Sequence, residues 1–217
     1  MIAVVIAVRD QVDYLGEALD SVSNQTLQAA EVVVVDDESS DGSGALAAAR
    51  GVRTLRIQHS GPKTARLAGA RETTAPWLVF LDGDDRLRPR HHELLLGAAE
   101  RAGDDGAYGM VREFADPDAP DAARYEVRED ARLVPLTGAC VVRRELFLDA
   151  MTSDPDGAGH DWFPVADRLS GSVTVGEVVL ERRIHGRNRT IVSRAEVHAA
   201  YLAAARAAIV RRRGADT

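Results

Sequence analysis

A chain with one cysteine can neither close a disulfide within itself nor build a cysteine-based zinc site, and Cys140 is the only cysteine in these 217 residues. That scarcity fits a reducing compartment, so a cytoplasmic location is expected. No apolar run approaches the ~18 residues of a membrane span, and the opening MIAVVIAVRD is too short and lacks the basic leader of a signal peptide. No integral membrane segment is expected. Basic charge is in deficit: Lys and Arg number 27 against 34 Asp and Glu, a net charge of -7, which argues against a generic nucleic-acid binder. There is no internal repeat, no Ser/His/Asp array and no glycine-rich phosphate loop. The one stretch that hints at a dinucleotide fingerprint, GAGH, follows no strand. With 45% hydrophobic residues the chain has enough apolar side chain for a substantial core, and nothing in the composition suggests disorder.

What is present is an alternation of strands and helices. Ile2 to Val8 is a continuous, largely β-branched run, the pattern of a strand buried on both faces. Val12, Leu15, Leu19 and Val22 recur at intervals of three and four, which predicts an amphipathic helix ending near Asn24. A second strand over Glu31 to Val35 is followed by DDESSDGS, whose Ser40 or Asp41 can cap an Ala-rich helix. Leu55 and Ile57 mark a third strand. Lys63 to Thr74 reads as a helix with Pro62 near its first turn, and WLVFLDGDD (77 to 85) carries the fourth strand. Short connections between alternating elements predict a parallel, doubly wound sheet to about residue 102. Beyond it the chain predicts a helix over 89–102 and strands over 108–114, 125–128, 139–143 and 173–184. It also predicts short helices over 144–151 and 161–169 and a terminal helix over 195–213, with a Pro/Asp/Ala loop, DPDAPDAA, interrupting this part. Residues 103–106 read as a change of layer rather than a linker.

In parallel α/β sheets ligands sit beyond the carboxyl ends of the strands. Two acidic groups stand there: Asp36 and Asp37 after the second strand, and Asp82, Asp84 and Asp85 after the fourth. Asp41, Gly42 and Ser43 read as turn and helix cap. Taken alone, Asp82 to Asp85 reads equally well as an exposed turn, with Gly83 at a positive φ, or as a cation site. The β/α framework favours the second reading. A hard cation takes few protein carboxylates and completes its shell with water and phosphate oxygens, which implies a diphosphate ligand.

Four segments, EALDSVSNQT (17 to 26), EVVVVDDESSDGS (31 to 43), GPKTARLAGA (61 to 70) and WLVFLDGDD (77 to 85), resemble successive signatures of family-2 glycosyltransferases of the GT-A fold, in the family's order and spacing. A looser resemblance continues through PLTGACVVRRELF (135 to 147), GHDWF (159 to 163) and RRIHGRN (182 to 188). The resemblance implies an α/β GT-A fold, with a mostly parallel, doubly wound central sheet and a smaller mixed part on the acceptor side. Residues 1–102 would form the nucleotide-sugar-binding half, and 103–217 the acceptor-binding and catalytic half, of one domain. It implies transfer of a sugar from a nucleoside diphosphate sugar, with Mn²⁺ or Mg²⁺ bridging the diphosphate. The implied donor set is Ala7, Val8, Asp36, Asp37, Arg66, Asp82 and Gly83, with Asp36 and Asp37 at the base. Asp84 and His185 would hold the metal, Gly138 and Trp162 would lie on the acceptor side, and Asp161 would be the catalytic base, giving inversion at the sugar carbon. The sequence departs from the family pattern at Ala7, where proline is usual, at Leu67, where asparagine is usual, and at His160, where glutamate is usual.

Other features read more plainly. His91 and His92 are expected at a solvated helix start, Trp77 in the core, and Arg211 to Arg213 at a helix end where positive charge suits the macrodipole. The C-terminal helix is a candidate homodimer contact. The compact length favours a soluble small-molecule or glycan acceptor over a polymer-extruding synthase. Two rival functions remain at this point: a nucleotide-sugar-binding protein without transfer activity, and a sugar nucleotidyltransferase, which would need an activating basic loop near the N-terminus.

Overall fold

The structure is a computed structural model that describes residues 1–115, 127–128, 130–153 and 162–188. Strand β1 (Ile2–Val8) is buried along its whole length, which accounts for its unbroken apolar run. It lies between β2 (Glu31–Asp37) and β4 (Trp77–Asp82), parallel to both, with Val5 opposite Val33 on one side and Phe80 on the other. β3 (Arg53–Ile57) extends this parallel half beyond β2. On the other side of β4 the sheet becomes mixed. β8 (Cys140–Arg143) runs antiparallel to β4 and to β6 (Gly106–Ala115), whereas β9 (Val173–Ile184) runs parallel to β6 through two register shifts. Among the described residues the strand order is β3-β2-β1-β4-β8-β6-β9-β5, with β5 (Arg86–Leu87) pairing with β9 and β7 (Arg132–Leu133) with β6.

Helices cover both faces. α1 (Val12–Ser23), α2 (Ser43–Ala49) and α4 (His91–Ala102) belong to the core that contains Val4, Ile6 and Leu81. α3 (Gly61–Arg71), α5 (Arg144–Thr152) and α6 (Phe163–Arg168) pack with Val5, Val35, Phe80 and Phe147 on the opposite face. Because side chains alternate along a strand, adjacent residues of β1, β2 and β4 feed different cores. α3 sits close to the sheet because Gly69 presents no side chain to Val5 and Val35; a Cβ there would overlap both. This is the doubly wound, mostly parallel arrangement expected of the first 102 residues, joined to the mixed part expected after them.

Some local expectations need correction. Neither Ser40 nor Asp41 is the N-cap of α2; that residue is Gly42, at a φ of 95°. Asp41 instead works in two places. Its carboxylate accepts the Ser43 amide and hydroxyl and, through the other oxygen, the Val12 amide at the start of α1. Val127 and Arg128 are not in a strand. The two-residue strands β5 and β7 have too few positions to show a period in the sequence. The DPDAPDAA loop, residues 125 and 126, Asp161 and the C-terminal helix with its proposed dimer contact lie outside the described residues. Among the described residues no helix is long and apolar enough to cross a membrane.

Candidate active site

A cleft of about 330 Å³ opens beyond the carboxyl ends of β1, β2 and β4. The strand register sets this position: Val8 lies opposite Asp36, and Ala7 opposite Asp82, so the polar residues after each strand emerge at the same level. Of the residues expected at a donor site, Ala7, Val8, Asp37, Arg66, Asp82 and Asp84 line the cleft, and Gly138 forms part of the opposite wall. Four arginines, Arg9, Arg66, Arg182 and Arg187, line it together with four aspartates, Asp37, Asp82, Asp84 and Asp85, so the cleft brings both signs of charge together. A lining of this kind suits a ligand that carries anionic groups together with a cation.

The acidic pair after β2 divides. Asp36 is buried on the face of α2, where its carboxylate accepts the Ser39 amide at 2.8 Å and the Arg56 guanidinium at 2.7 Å. Gly44 packs so tightly against it that a Cβ would overlap the carboxylate. Asp36 does not line the cleft, which corrects its expected place at the base; its role here is to close the turn after β2. Asp37, one residue on, projects to the other face and reaches the cleft. It accepts the Ser60 and Gly61 amides at 2.8 and 3.0 Å, so it caps α3 from a neighbouring strand, and its Oδ2 lies 2.9 Å from His59 Nδ1. An ionised carboxylate offers about four acceptor positions. These three contacts leave room for one more donor from the cleft.

The turn after β4 holds the densest charge. Asp82 accepts the buried Arg66 guanidinium at 2.6 Å, while Asp84 and Asp85 are themselves buried. Burial first, and then the charges of Asp84 and Asp82, hold the Asp85 carboxyl well above the usual carboxylate range. The Asp85 side chain accepts the Arg183 backbone amide at 2.9 Å. Asp84 Oδ2 lies 3.0 Å from His185 Nε2 and accepts the Asn188 side-chain amide at 3.2 Å. The Arg187 amide lies 3.2 Å from His185 Nδ1, the other ring nitrogen. Asp84 and His185, 101 residues apart in sequence, therefore meet, with Asp84 lining the cleft and His185 buried behind it. Among the described residues no group of three or more His, Cys, Asp or Glu side chains is placed to hold a metal ion. The donor set is nonetheless of the hard, anionic kind that an oxygen-preferring divalent cation uses, with one or two carboxylates and the remaining positions left to water and ligand.

Gly83 does not line the cleft and takes no positive φ. The turn lies close to the end of β1: a Cβ would lie 2.7 Å from the Oε1 of the flexible Gln11 side chain and 3.2 Å from Val8 Cγ2. Trp162 also departs from expectation. Its ring is 1% exposed and packs against Phe80 and Phe147, so it belongs to the core and offers no face to an acceptor. Trp77 is in the core, as expected. His91 and His92 are fully buried rather than solvated. His91 Nε2–H donates to the Gly138 carbonyl at 3.0 Å, behind the cleft wall, and His92 Nδ1–H donates to the Leu27 carbonyl at 2.9 Å. Their neighbours in sequence gave no hint of this, because the partners lie 47 and 65 residues away. Arg9, Gln11, His59, Arg182, Arg187 and Asn188 also line the cleft and carried no role in the sequence reading. Three of these six sit in RRIHGRN, where only the histidine had been singled out.

Burial, helped by the neighbouring His92, pushes the His91 imidazole down to about 3. An unfolded histidine titrates near 6.5. Above that pH neither state binds the proton, whereas below it only the unfolded state does. Stability should therefore be full above about pH 6.5 and fall as pH drops toward 3, by up to about 1.4 kcal/mol per pH unit from this side chain. His91→Gln keeps an N–H for Gly138 and removes the titration. Urea midpoints measured from pH 7 to pH 4 should fall less steeply for this variant than for the wild type.

The glycosyl transferase family 2 model matches residues 3–147, and the chain belongs to that family. The match takes in all four leading signatures and the 135–147 segment; 159–163 and 182–188 lie beyond it. The chain is 32% identical over 137 residues to the succinoglycan biosynthesis protein ExoO of Rhizobium meliloti, covering 61% of this chain and 39% of that protein. It is 26% identical over 106 residues to the uncharacterized glycosyltransferase EpsJ of Bacillus subtilis, covering 46% of this chain and 31% of that one. The chain thus spans well under half the length of these curated relatives. Among solved structures, S. aureus TarS 1-349 in complex with UDP-GlcNAc superposes with a TM-score of 0.65 at 14% identity, over 88% of this chain and 60% of that one. The same protein in complex with UDP gives 0.63 over 84% and 60%. This likeness shows the fold, of the GT-A type, and the match to the family model shows the family.

Proposed function

We propose that this chain is a metal-dependent, inverting glycosyltransferase that moves a sugar from a nucleoside diphosphate sugar to a hydroxyl of a small-molecule or glycan acceptor. The observation that carries this reading is the pairing, in one cleft, of Asp82, Asp84 and the raised Asp85 with four arginines. Carboxylates that repel one another suit a site that a cation completes, and the arginines suit the diphosphate that the cation accompanies. Asp84 and His185 would hold Mn²⁺ or Mg²⁺, which when bound supplies charge neutralisation for the departing diphosphate. Asp37 would accept an N–H of the base in its one open position. Arg66, fixed by Asp82, would orient the donor, and Gly138 would face the acceptor. Asp161 would take the proton of the acceptor hydroxyl as general base, on the side of the sugar opposite the diphosphate, which inverts the anomeric carbon. Residues 1–102 supply the donor half of this arrangement, and later residues the acceptor half.

Because TarS has been crystallised with UDP and UDP-GlcNAc, uridine diphosphate leads the nucleotides to be tested. A thermal-shift panel of nucleoside diphosphates, with and without Mn²⁺, reads binding through mass action. One nucleotide should raise the melting temperature well above the others, and more so with Mn²⁺. A flat panel would count against the reading. Asp37→Ala should weaken binding of that nucleotide by roughly tenfold, the worth of a hydrogen bond to a charged group, to a similar extent with Mn²⁺ and with EDTA. The variant also loses the cap on α3, about 1 kcal/mol of stability, so affinity should be measured by calorimetry well below its melting temperature. A loss confined to the Mn²⁺ titration would remove Asp37 from the base.

A further inference from the structure

The first signature, EALDSVSNQT, lies on α1 and the turn after it, and neither donor nor acceptor accounts for it. In the structure Glu17, Ser21 and Gln25, spaced by four, form one stripe along this segment. The stripe grips the chain immediately after the acidic turn. Ser21 Oγ accepts the Leu87 amide at 3.1 Å, Gln25 Nε2 donates to the Arg88 carbonyl at 2.8 Å, and Gln25 Oε1 accepts the His92 amide at 3.2 Å. Glu17 Oε2 accepts the guanidinium groups of Arg86 at 3.0 Å and Arg183 at 2.8 Å. Arg183 is nearly inaccessible to solvent, at 3% exposure, and lies over the rings of Tyr14 and Phe114. Its Nε donates to the backbone carbonyl of Asp84 at 3.1 Å, and its backbone amide donates to Asp85. Two residues further on, His185 meets the Asp84 side chain.

From this chain of contacts we infer that Glu17 is a positioning residue for the diphosphate end of the site, acting through Arg183 on Asp84 and His185. The inference rests on the metal and donor reading of Asp84 given above. Glu17 touches neither Asp84 nor the cleft. Its carboxylate fixes a cationic side chain that holds Asp84 from behind by its backbone, while the same strand delivers His185 to the carboxylate in front. Outer partners of this kind orient the groups that bind an ion, and removing one typically costs 10- to 100-fold in metal affinity.

The test is a calorimetric titration of UDP in Mn²⁺ and in EDTA, with wild type, Glu17→Gln, Asp84→Ala and Asp20→Ala. Asp20 lies on the same helix, paired with Arg50 away from the site, and serves as the control. Glu17 is half exposed and glutamine keeps its shape, so the variant should fold, with a circular dichroism spectrum like that of the wild type. UDP affinity in Mn²⁺ should fall about tenfold in Glu17→Gln, stay unchanged in EDTA, and be unaffected in both by Asp20→Ala. Equal losses in Mn²⁺ and EDTA would reduce Glu17 to a general structural role and overturn the inference. Wild-type behaviour of Glu17→Gln, while Asp84→Ala loses its Mn²⁺ response, would overturn the positioning role alone. A retained Mn²⁺ response in Asp84→Ala would overturn the metal reading and the inference with it.

Discussion

Replacing Asp161 with asparagine is expected to leave folding, donor binding and metal binding as they are and to slow sugar transfer by about 10²-fold or more. Asparagine caps a helix as well as aspartate does, so a purely structural Asp161 would tolerate the change, whereas a general base would not. The chain places Asp161 directly before Trp162, and Trp162 is anchored in the core against Phe80 and Phe147 at the entry to α6. Hydrolysis of donor by water should persist at a low level in the variant. Single-turnover transfer rates at saturating donor give the comparison. A near-normal rate would move the search for the base to Asp154, Asp156 and Glu177.

The second large effect is expected of Asp84→Ala, which should abolish the Mn²⁺-dependent part of nucleotide binding and with it most of the transfer activity. A hard cation with few protein ligands loses much when one anionic oxygen is removed. Asp84 also accepts from His185 and Asn188, so its loss frees the 185–188 turn from the acidic turn at the same time. Titration of the variant with UDP should give the same affinity in Mn²⁺ as in EDTA. An Mn²⁺ response equal to that of the wild type would place the metal elsewhere.

The parallel half of the fold was legible because each strand of its centre is buried on both faces and each helix on one. Burial of that kind writes itself into the sequence as continuous runs in β1 and β2 and as three-and-four spacing in α1. The cleft followed, since ligands gather beyond such strand ends and the charged residues there have few other reasons to cluster. What stayed hidden was orientation and distance. Asp36 and Asp37 are chemically the same in sequence, and only the alternation of side chains across β2 sends one to Arg56 and the other to the cleft. His91 and His92 sit among charged residues at a helix start, yet their partners Gly138 and Leu27 come from distant segments that close over them. The contact of Glu17 with Arg183 spans 166 residues, a separation that no local pattern records. The positive φ expected of Gly83 is absent, and what distinguishes the position is its close approach to Gln11 and Val8.

The central claim is catalysed, metal-dependent transfer from a nucleoside diphosphate sugar, and nucleoside diphosphate release tests it most directly. Wild type and Asp84→Ala are incubated with a panel of such donors and hydroxyl acceptors, in Mn²⁺ or EDTA, and the released nucleotide is quantified by chromatography. The account predicts that one donor yields nucleoside diphosphate and glycosylated acceptor in equal amounts in Mn²⁺, and that EDTA and Asp84→Ala each suppress both. Tight donor binding with no nucleotide released from any donor and acceptor pair would contradict it, leaving a binding protein. Formation of a nucleoside diphosphate sugar from a nucleoside triphosphate and a sugar 1-phosphate, with diphosphate released, would contradict it in the other direction, as the reaction of a nucleotidyltransferase.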